Sequence, residues 1–204
     1  MKINIIGNGS FGTFLRELLA AHFRVTEDAE TIILAVPISA YGDVAAANKG
    51  KHLINVCSVQ QPSMEMILSH SEMVTGVHPL FGRKTPTEHR NSIITRSCNS
   101  QNDASPHFAH KEADFFDRFS KVSKLIYTDA AGIPFTPETH DRLMAKTHVA
   151  AVLAARQIKV FIDGARDIPD DLVPNSFRLM REFVKTLDDM PRGTIESILA
   201  NPYY

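Results

Sequence analysis

The first dozen residues constrain this chain more than any other stretch. Lys2-Ile3-Asn4-Ile5-Ile6 is a short apolar run that reads as a strand, and it ends in Gly7-Asn8-Gly9-Ser10-Phe11-Gly12. Thr13 to Ala21 follows, with apolar residues at helical spacing. A strand, a G-x-G-x-x-G turn and a helix, in that order, open a βαβ unit able to cradle a dinucleotide. In such a turn Gly7 permits the tight reversal, Gly9 lets the backbone approach a pyrophosphate, and Gly12 lets the helix pack close to the strand. The helix start adds unpaired N–H groups and the positive end of its dipole. The competing reading is a glycine turn that binds nothing. The strand-to-helix context favours the first, with Gly7, Asn8, Gly9, Ser10, Phe11 and Gly12 facing the cofactor.

The next strand, His22 to Thr26, is separated from Ile32-Ile33-Leu34-Ala35-Val36-Pro37 by no more than a turn. A dinucleotide fold ordinarily carries a helix there, and an acid about 20 residues beyond the glycines that bonds the adenosine ribose. Glu27 or Asp28 fills that place and would repel a 2′-phosphate, which favours NAD over NADP. Both residues read equally well as solvated turn positions. Val36 and Pro37 close the third strand and face the cofactor. His52 to Val56 is a fourth strand, leading into Cys57-Ser58-Val59-Gln60. A hydroxyl at Ser58 suits either a contact with reacting groups or the cap of a helix starting near Pro62.

Met73 to Val77 is a fifth strand, ending in His78-Pro79-Leu80-Phe81-Gly82. Proline lacks the N–H that a ladder needs, so the strand is expected to stop at Val77. A histidine at the carboxyl end of such a strand sits where ligands bind in open α/β sheets, and it titrates near neutral pH. The plainer alternative is a satisfied histidine at a corner. Ser92 to Thr95 and Ser123 to Tyr127 read as further strands, Cys98 to His110 as a loop, and Lys111 to Val122 as a helix with an aromatic core stripe. Strands alternating with helices imply a Rossmann-type α/β fold with a mostly parallel, doubly wound sheet.

The strand signal disappears near Gly132 to Pro137, which divides the chain into a dinucleotide-binding domain, 1–133, and a small all-helical domain, 134–204. Thr136 caps a helix with Pro137 at its first position, running to about Ile162 with Gly164 as its C-cap. The later part of this helix is apolar around much of its circumference, so it must be buried against the first domain or against another subunit, and a homodimer through the C-terminal helices is expected. Asn175-Ser176 caps a second helix with Arg178 in its first turn, where an arginine gains nothing from the dipole. A short helix near Thr194–Leu199 ends the chain.

The 204 residues carry a net charge of -1 and 22% charged side chains, with no basic run to serve as a nucleic-acid footprint. Cys57 and Cys98 are too few for a disulfide framework or a zinc knuckle, and no metal site is expected. With no signal-like segment and no apolar run near the roughly 20 residues that span a bilayer, a cytoplasmic location without membrane contact is the default.

Several segments together resemble the prephenate/arogenate dehydrogenase family of tyrosine biosynthesis. They are Gly7–Gly12, Leu34-Ala35-Val36-Pro37, Val56-Cys57-Ser58-Val59, Gly76-Val77-His78-Pro79-Leu80-Phe81-Gly82, Glu138-Thr139-His140-Asp141-Arg142-Leu143-Met144-Ala145 and Ser176-Phe177-Arg178-Leu179. The resemblance implies NAD(P)-dependent oxidative decarboxylation of a small-molecule substrate. It makes His78 the acceptor of the ring-hydroxyl proton and Ser58 the residue that orients His78. Arg178 becomes a binder of a substrate carboxylate, and Asp141 an acid paired near the site mouth. The chain departs from the family at Gln60, where a lysine is usual, at Val152, near a usual histidine, and in its short helical part. The alternatives are another short Rossmann oxidoreductase acting on a small acid, or a nucleotide-binding paralogue without turnover.

Overall fold

The structure is a computed structural model that describes residues 1–95 and 106–204. Cys98 and most of the loop expected over 98–110 lie outside the described residues. The chain divides into two compact units, Met1–Asp141 and Arg142–Tyr204.

The first unit is built on a seven-stranded sheet. Its strands are β1 (Lys2–Ile6), β2 (Arg24–Val25), β3 (Thr31–Leu34), β4 (His52–Asn55), β5 (Val74–Pro79), β6 (Asn91–Thr95) and β7 (Lys124–Ile126), in the order β2-β1-β3-β4-β5-β6-β7. All neighbours are parallel except β5 and β6. The helices are α1 (Ser10–Leu19), α2 (Tyr41–Ala47), α3 (Gln60–Leu68) and α4 (Pro106–Phe119). This is a Rossmann-type, mostly parallel sheet with helices on both faces.

Strands β3, β4 and β5 are buried along their whole length because both faces of the sheet are covered. Successive side chains alternate between the two. Ile33 and Ile54 join Ile3, Ile5, Leu15, Leu19 and Phe115 in one core, beneath α1 and α4. Ile32, Leu34 and Leu53 join Tyr41, Ala45, Met64 and Ile67 in the other, beneath α2 and α3. Phe115, Phe116 and Phe119 are core residues, as their spacing implied.

Three local features of the first unit differ from the sequence reading. Helix α4 starts at Pro106, so 106–110 are helical. Strand β2 is two residues long and pairs only with Lys2 and Ile3. Strand β5 continues through His78 and Pro79. The ladder tolerates Pro79 because β6 is antiparallel. Leu80 N donates to Asn91 O over 2.8 Å. Hydrogen-bonded and non-bonded pairs alternate along such a ladder, so Pro79, opposite Ser92, owes β6 no donor. On its other side the β4 pairing has already stopped at Asn55 and Gly76.

Helix α5 (Pro137–Met144) starts under the expected cap: Thr139 N donates to Thr136 Oγ1 over 3.1 Å, and Thr136 N donates to Thr139 Oγ1 over 2.9 Å. A π-helical turn, Ala145–Val149, joins it to α6 (Ala150–Gly164). Such turns often mark functional sites. Gly164 is the last helical residue and Ala165 closes the helix, with no left-handed glycine. Helices α7 (Asn175–Asp188) and α8 (Arg192–Leu199) complete the second unit. Pro174, not Asn175 or Ser176, occupies the N-cap of α7. The second unit has its own small core of Val149, Val152, Ala155, Leu187 and Ile198. Among the described residues no helix is long and apolar enough to cross a membrane.

Candidate active site

The glycine turn has the shape its sequence demands. Gly7 has φ +126, and a Cβ there would lie 2.0 Å from Ala35 O. A Cβ on Gly12 would lie 2.3 Å from Gly7 O. Only glycine fits either position. Gly9 is different: a Cβ on it meets nothing within 4 Å. Gly9 is the N-cap of α1, and no side chain caps the first turn from that position. Arg16 Nη2 donates to Ile5 O over 2.6 Å and to Asn8 Oδ1 over 3.0 Å, which ties the turn to its strand and helix. Ser10 is exposed, and Phe11 packs half-buried against Phe14 with ring centroids 6.2 Å apart. Ala35 N donates to Ile6 O over 2.8 Å, which sets Val36 and Pro37 beside the turn. This cradle fits the pyrophosphate of a dinucleotide.

Glu27 does not share that edge in the expected way. The β2 ladder stops at Ile3, with Thr26 N donating to Ile3 O over 2.9 Å, while β1 runs on to Ile6. The 27–28 turn therefore reverses before the carboxyl end of β1, and Asp28 pairs with Lys2 at the amino end over 3.1 Å. No helix intervenes between β2 and β3, which starts at Thr31.

Neighbouring strands β1, β3, β4 and β5 bring the glycine turn, Val36-Pro37, Ser58 and His78 to one carboxyl edge of the sheet. His78 is only 2% exposed. Its Nδ1 lies 2.8 Å from His140 Nε2, with the rings edge-to-face. His140 Nδ1 lies 2.7 Å from Asp141 Oδ1. Gln60 N donates to Asp141 Oδ1 over 2.7 Å, and Gln61 N donates to Asp141 Oδ2 over 2.8 Å. Gln60 and Gln61 are the first two residues of α3, whose N-cap, Val59, has no side chain able to cap. Asp141 therefore caps α3 from 81 residues away in sequence.

One sequence assignment changes here. Asp141 is fully buried and not at a site mouth, because its oxygens are taken by main-chain donors and His140. His78 Nδ1 is hydrogen-bonded to His140, and Ser58 lies half-buried two residues before α3. His140 is the residue that sequence reasoning passed over. The signal was the adjacent pair of polar residues, His140-Asp141, in a helix that starts with its own complete cap.

Gln60 is fully buried beneath this edge. Its Oε1 accepts from Asn55 Nδ2 over 3.2 Å and Thr95 Oγ1 over 2.9 Å, and its Nε2 donates to Cys57 O over 2.6 Å. Gly76 makes room for the network, since a Cβ there would lie 1.9 Å from Thr95 Oγ1. After His78, the chain is held to α1 by Arg83, which donates to Glu17 over 2.6 Å and lowers its carboxyl, and which lies over the Phe14 ring at 5.4 Å. Among the described residues no group of three or more His, Cys, Asp or Glu side chains is arranged to hold a metal ion. Arg178 belongs to the second unit, where it is exposed near the start of α7 and donates to Val173 O over 3.3 Å.

No family model and no curated protein sequence matches the chain. Solved structures do. A Corynebacterium glutamicum protein assigned only provisionally as a prephenate dehydrogenase aligns with TM-score 0.71 at 15% identity, over 97% of this chain and 73% of that one. Prephenate dehydrogenase from Aquifex aeolicus, solved with hydroxyphenyl propionate and NAD+, aligns with TM-score 0.64 at 12% identity, over 98% and 82%. Pyrroline carboxylate reductase from Plasmodium falciparum, solved with NADP, aligns with TM-score 0.54 at 16% identity, over 99% and 80%. At such identities the likeness is one of fold.

Proposed function

We propose that this protein is a nicotinamide-dependent dehydrogenase that oxidises prephenate or arogenate with loss of carbon dioxide. The observation that carries the reading is the buried chain His78–His140–Asp141, on the same unit and sheet edge as a dinucleotide-shaped glycine turn. The motif resemblance around His78 and the dehydrogenase fold support it.

In this reading the α1 amides and Gly9 hold the pyrophosphate of NAD or NADP, with Val36 and Pro37 alongside. The bound nicotinamide supplies hydride acceptance. The chain's own task is the proton. As hydride leaves the carbinol carbon, its oxygen must lose a proton, and His78 takes it. Ser58 contacts the reacting hydroxyl or the nicotinamide amide. Arg178 binds a substrate carboxylate through its planar fork. The C-terminal helices form a homodimer, which would cover Val160 and Phe161 of α6, now 71% and 67% exposed. Light scattering at micromolar concentration tests that assembly, and a monomer refutes it.

The central experiment supplies NAD or NADP with prephenate or arogenate and follows reduced nicotinamide by absorbance. Turnover is expected with at least one pair, and His78→Asn should abolish it while nucleotide affinity stays nearly intact. Tight nucleotide binding without turnover on any pair would overturn the proposal in favour of a binding paralogue.

A further inference from the structure

Proton acceptance by His78 leaves two neighbouring side chains without a task in the reaction. His140 and Asp141 both have no exposed surface. Burying an ionisable pair beside a strand end is costly unless every lone pair and proton is matched. The matching here runs in one direction only.

Asp141 Oδ1 and Oδ2 each receive a main-chain N–H, from Gln60 and Gln61. Those groups can only donate, so both oxygens are acceptors, as a carboxylate's are. The 2.7 Å contact from His140 Nδ1 to Oδ1 then requires the proton on Nδ1. A neutral imidazole protonated at Nδ1 presents its lone pair at Nε2. That nitrogen lies 2.8 Å from His78 Nδ1, which must therefore be the donor. His78 is left with its basic lone pair on Nε2.

We propose that His140 and Asp141 are positioning residues that hold His78 in its Nδ1–H form, assign proton acceptance to Nε2, and share the proton once it is taken. The proposal rests on the reading of His78 as the proton acceptor. The reaction explains why a single imidazole would be insufficient. Hydride leaves the carbinol carbon for the nicotinamide, and the O–H bonding pair becomes the second carbon–oxygen bond as His78 Nε2 takes the proton. The bond to the ring carboxylate then breaks. Its electron pair enters the ring as carbon dioxide departs, and the carbonyl oxygen becomes a phenolate. That oxygen takes the proton back from His78 Nε2. No net proton is consumed, so the site must store one between the two halves. Stored on His78 alone, the charge would sit in a residue with almost no water contact. Movement of the Nδ1 proton across the 2.8 Å contact to His140 Nε2 sets the cation directly against Asp141.

A purely structural cap on α3 would need Asp141 but not a histidine at 140. That difference sets the test. Nitrogen NMR of histidine-labelled protein should show His78 protonated on Nδ1 and unprotonated on Nε2. His140→Leu should move His78 toward the Nε2–H form, and His140→Gln, whose amide oxygen accepts from Nδ1–H, should restore it. In turnover, His140→Leu should lower kcat by about 10²-fold, with KM and nucleotide affinity within about twofold, and His140→Gln should recover part of the loss. An Nε2–H form of His78 in the unaltered protein overturns the proposal, as does an unchanged kcat in folded His140→Leu. The spectrum of the unaltered protein decides the tautomer even where His140→Leu does not fold. Failure of every substrate pair with the expected tautomer present condemns the dehydrogenase reading instead, and with it the catalytic use of the chain.

Discussion

His52 offers a test of the fold that is independent of any substrate. It opens β4, has no exposed surface, and meets Phe108 edge-on at 5.1 Å between ring centroids. Its Nε2 lies 2.9 Å from Thr75 Oγ1, which in turn donates to Glu112 Oε1 over 2.8 Å. The hydroxyl proton is spent on Glu112, so His52 Nε2–H is the donor to Thr75 and Nδ1 carries the lone pair. Among the described residues no hydrogen-bond partner reaches Nδ1. A second proton there would be buried without a partner. Burial first, and the charge of Lys111 second, push the His52 pKa down to about 3. The unfolded chain protonates near pH 6.5. Above that pH both states are neutral, and His52 contributes no pH dependence. Below it the unfolded state binds a proton that the native state refuses, so stability falls with pH until the native group titrates near 3. The slope is about 1.4 kcal/mol per pH unit, which makes the penalty about 2 kcal/mol at pH 5. Urea unfolding of the native sequence and of His52→Gln, at about pH 7.5 and about pH 5, isolates this contribution, because every other titrating group is common to both. Glutamine keeps a donor for Thr75 and cannot titrate. His52→Gln should lose about 2 kcal/mol less than the native sequence over this interval. Equal losses, within about 0.5 kcal/mol, would show that native His52 takes up its proton and would refute the reasoning.

Four substitutions probe the candidate site. Gly9→Ala should leave the melting temperature unchanged yet weaken nucleotide binding by about tenfold or more, whereas Gly7→Ala should cost about 2 kcal/mol or more of stability, since its Cβ would strike Ala35 O at 2.0 Å. Calorimetry and nucleotide titration separate the two, and equal behaviour would refute the assignment of the cradle. Asp141→Ala leaves the Gln60 and Gln61 amides unsatisfied, and urea unfolding should show a loss of about 3 kcal/mol or more. A loss below about 1 kcal/mol would mean the cap is dispensable. Arg178→Ala should raise KM by about tenfold with a smaller change in kcat, and an unchanged KM would remove Arg178 from substrate binding.

What was legible in the sequence is what depends on neighbours along the chain. The glycine spacing after Ile6, the aromatic stripe of Phe115 and Phe119, and the Thr136 cap are all settled within a few residues. What was not legible depends on partners distant in sequence. Pro79 reads as a stop until the antiparallel β6 shows that its position owes no donor. The place of Gln60 becomes intelligible only when Asn55 and Thr95 are seen closing on its amide oxygen. His140 lies 62 residues from His78, and no periodicity connects them.

The role of Asp141 follows from what each element lacks. Helix α3 begins at Gln60 behind Val59, which cannot cap, so two main-chain donors need an acceptor. His140 needs an acceptor for Nδ1–H if its Nε2 is to receive from His78. One buried carboxylate meets both needs with three charge-assisted hydrogen bonds. Each is worth about 1.5–3 kcal/mol, which together match a desolvation cost of several kcal/mol for the ion. The first turn of α3 also fixes the end of the segment that carries Ser58, two residues upstream. Asp141 thus sets the hydroxyl of Ser58 through α3 and the tautomer of His78 through His140. A carboxamide at 141 has the same volume but turns one acceptor into a donor, facing Gln61 N–H at the Oδ2 place, or both Gln60 N–H and His140 Nδ1–H at the Oδ1 place. None of these can accept, so relief requires α3 to shift and, at the Oδ1 place, His140 also to change tautomer. The second response reverses the chain and places the proton of His78 on Nε2, where it blocks acceptance from the substrate. Stability and proton transfer are therefore lost together at this position, whereas at His140 they separate.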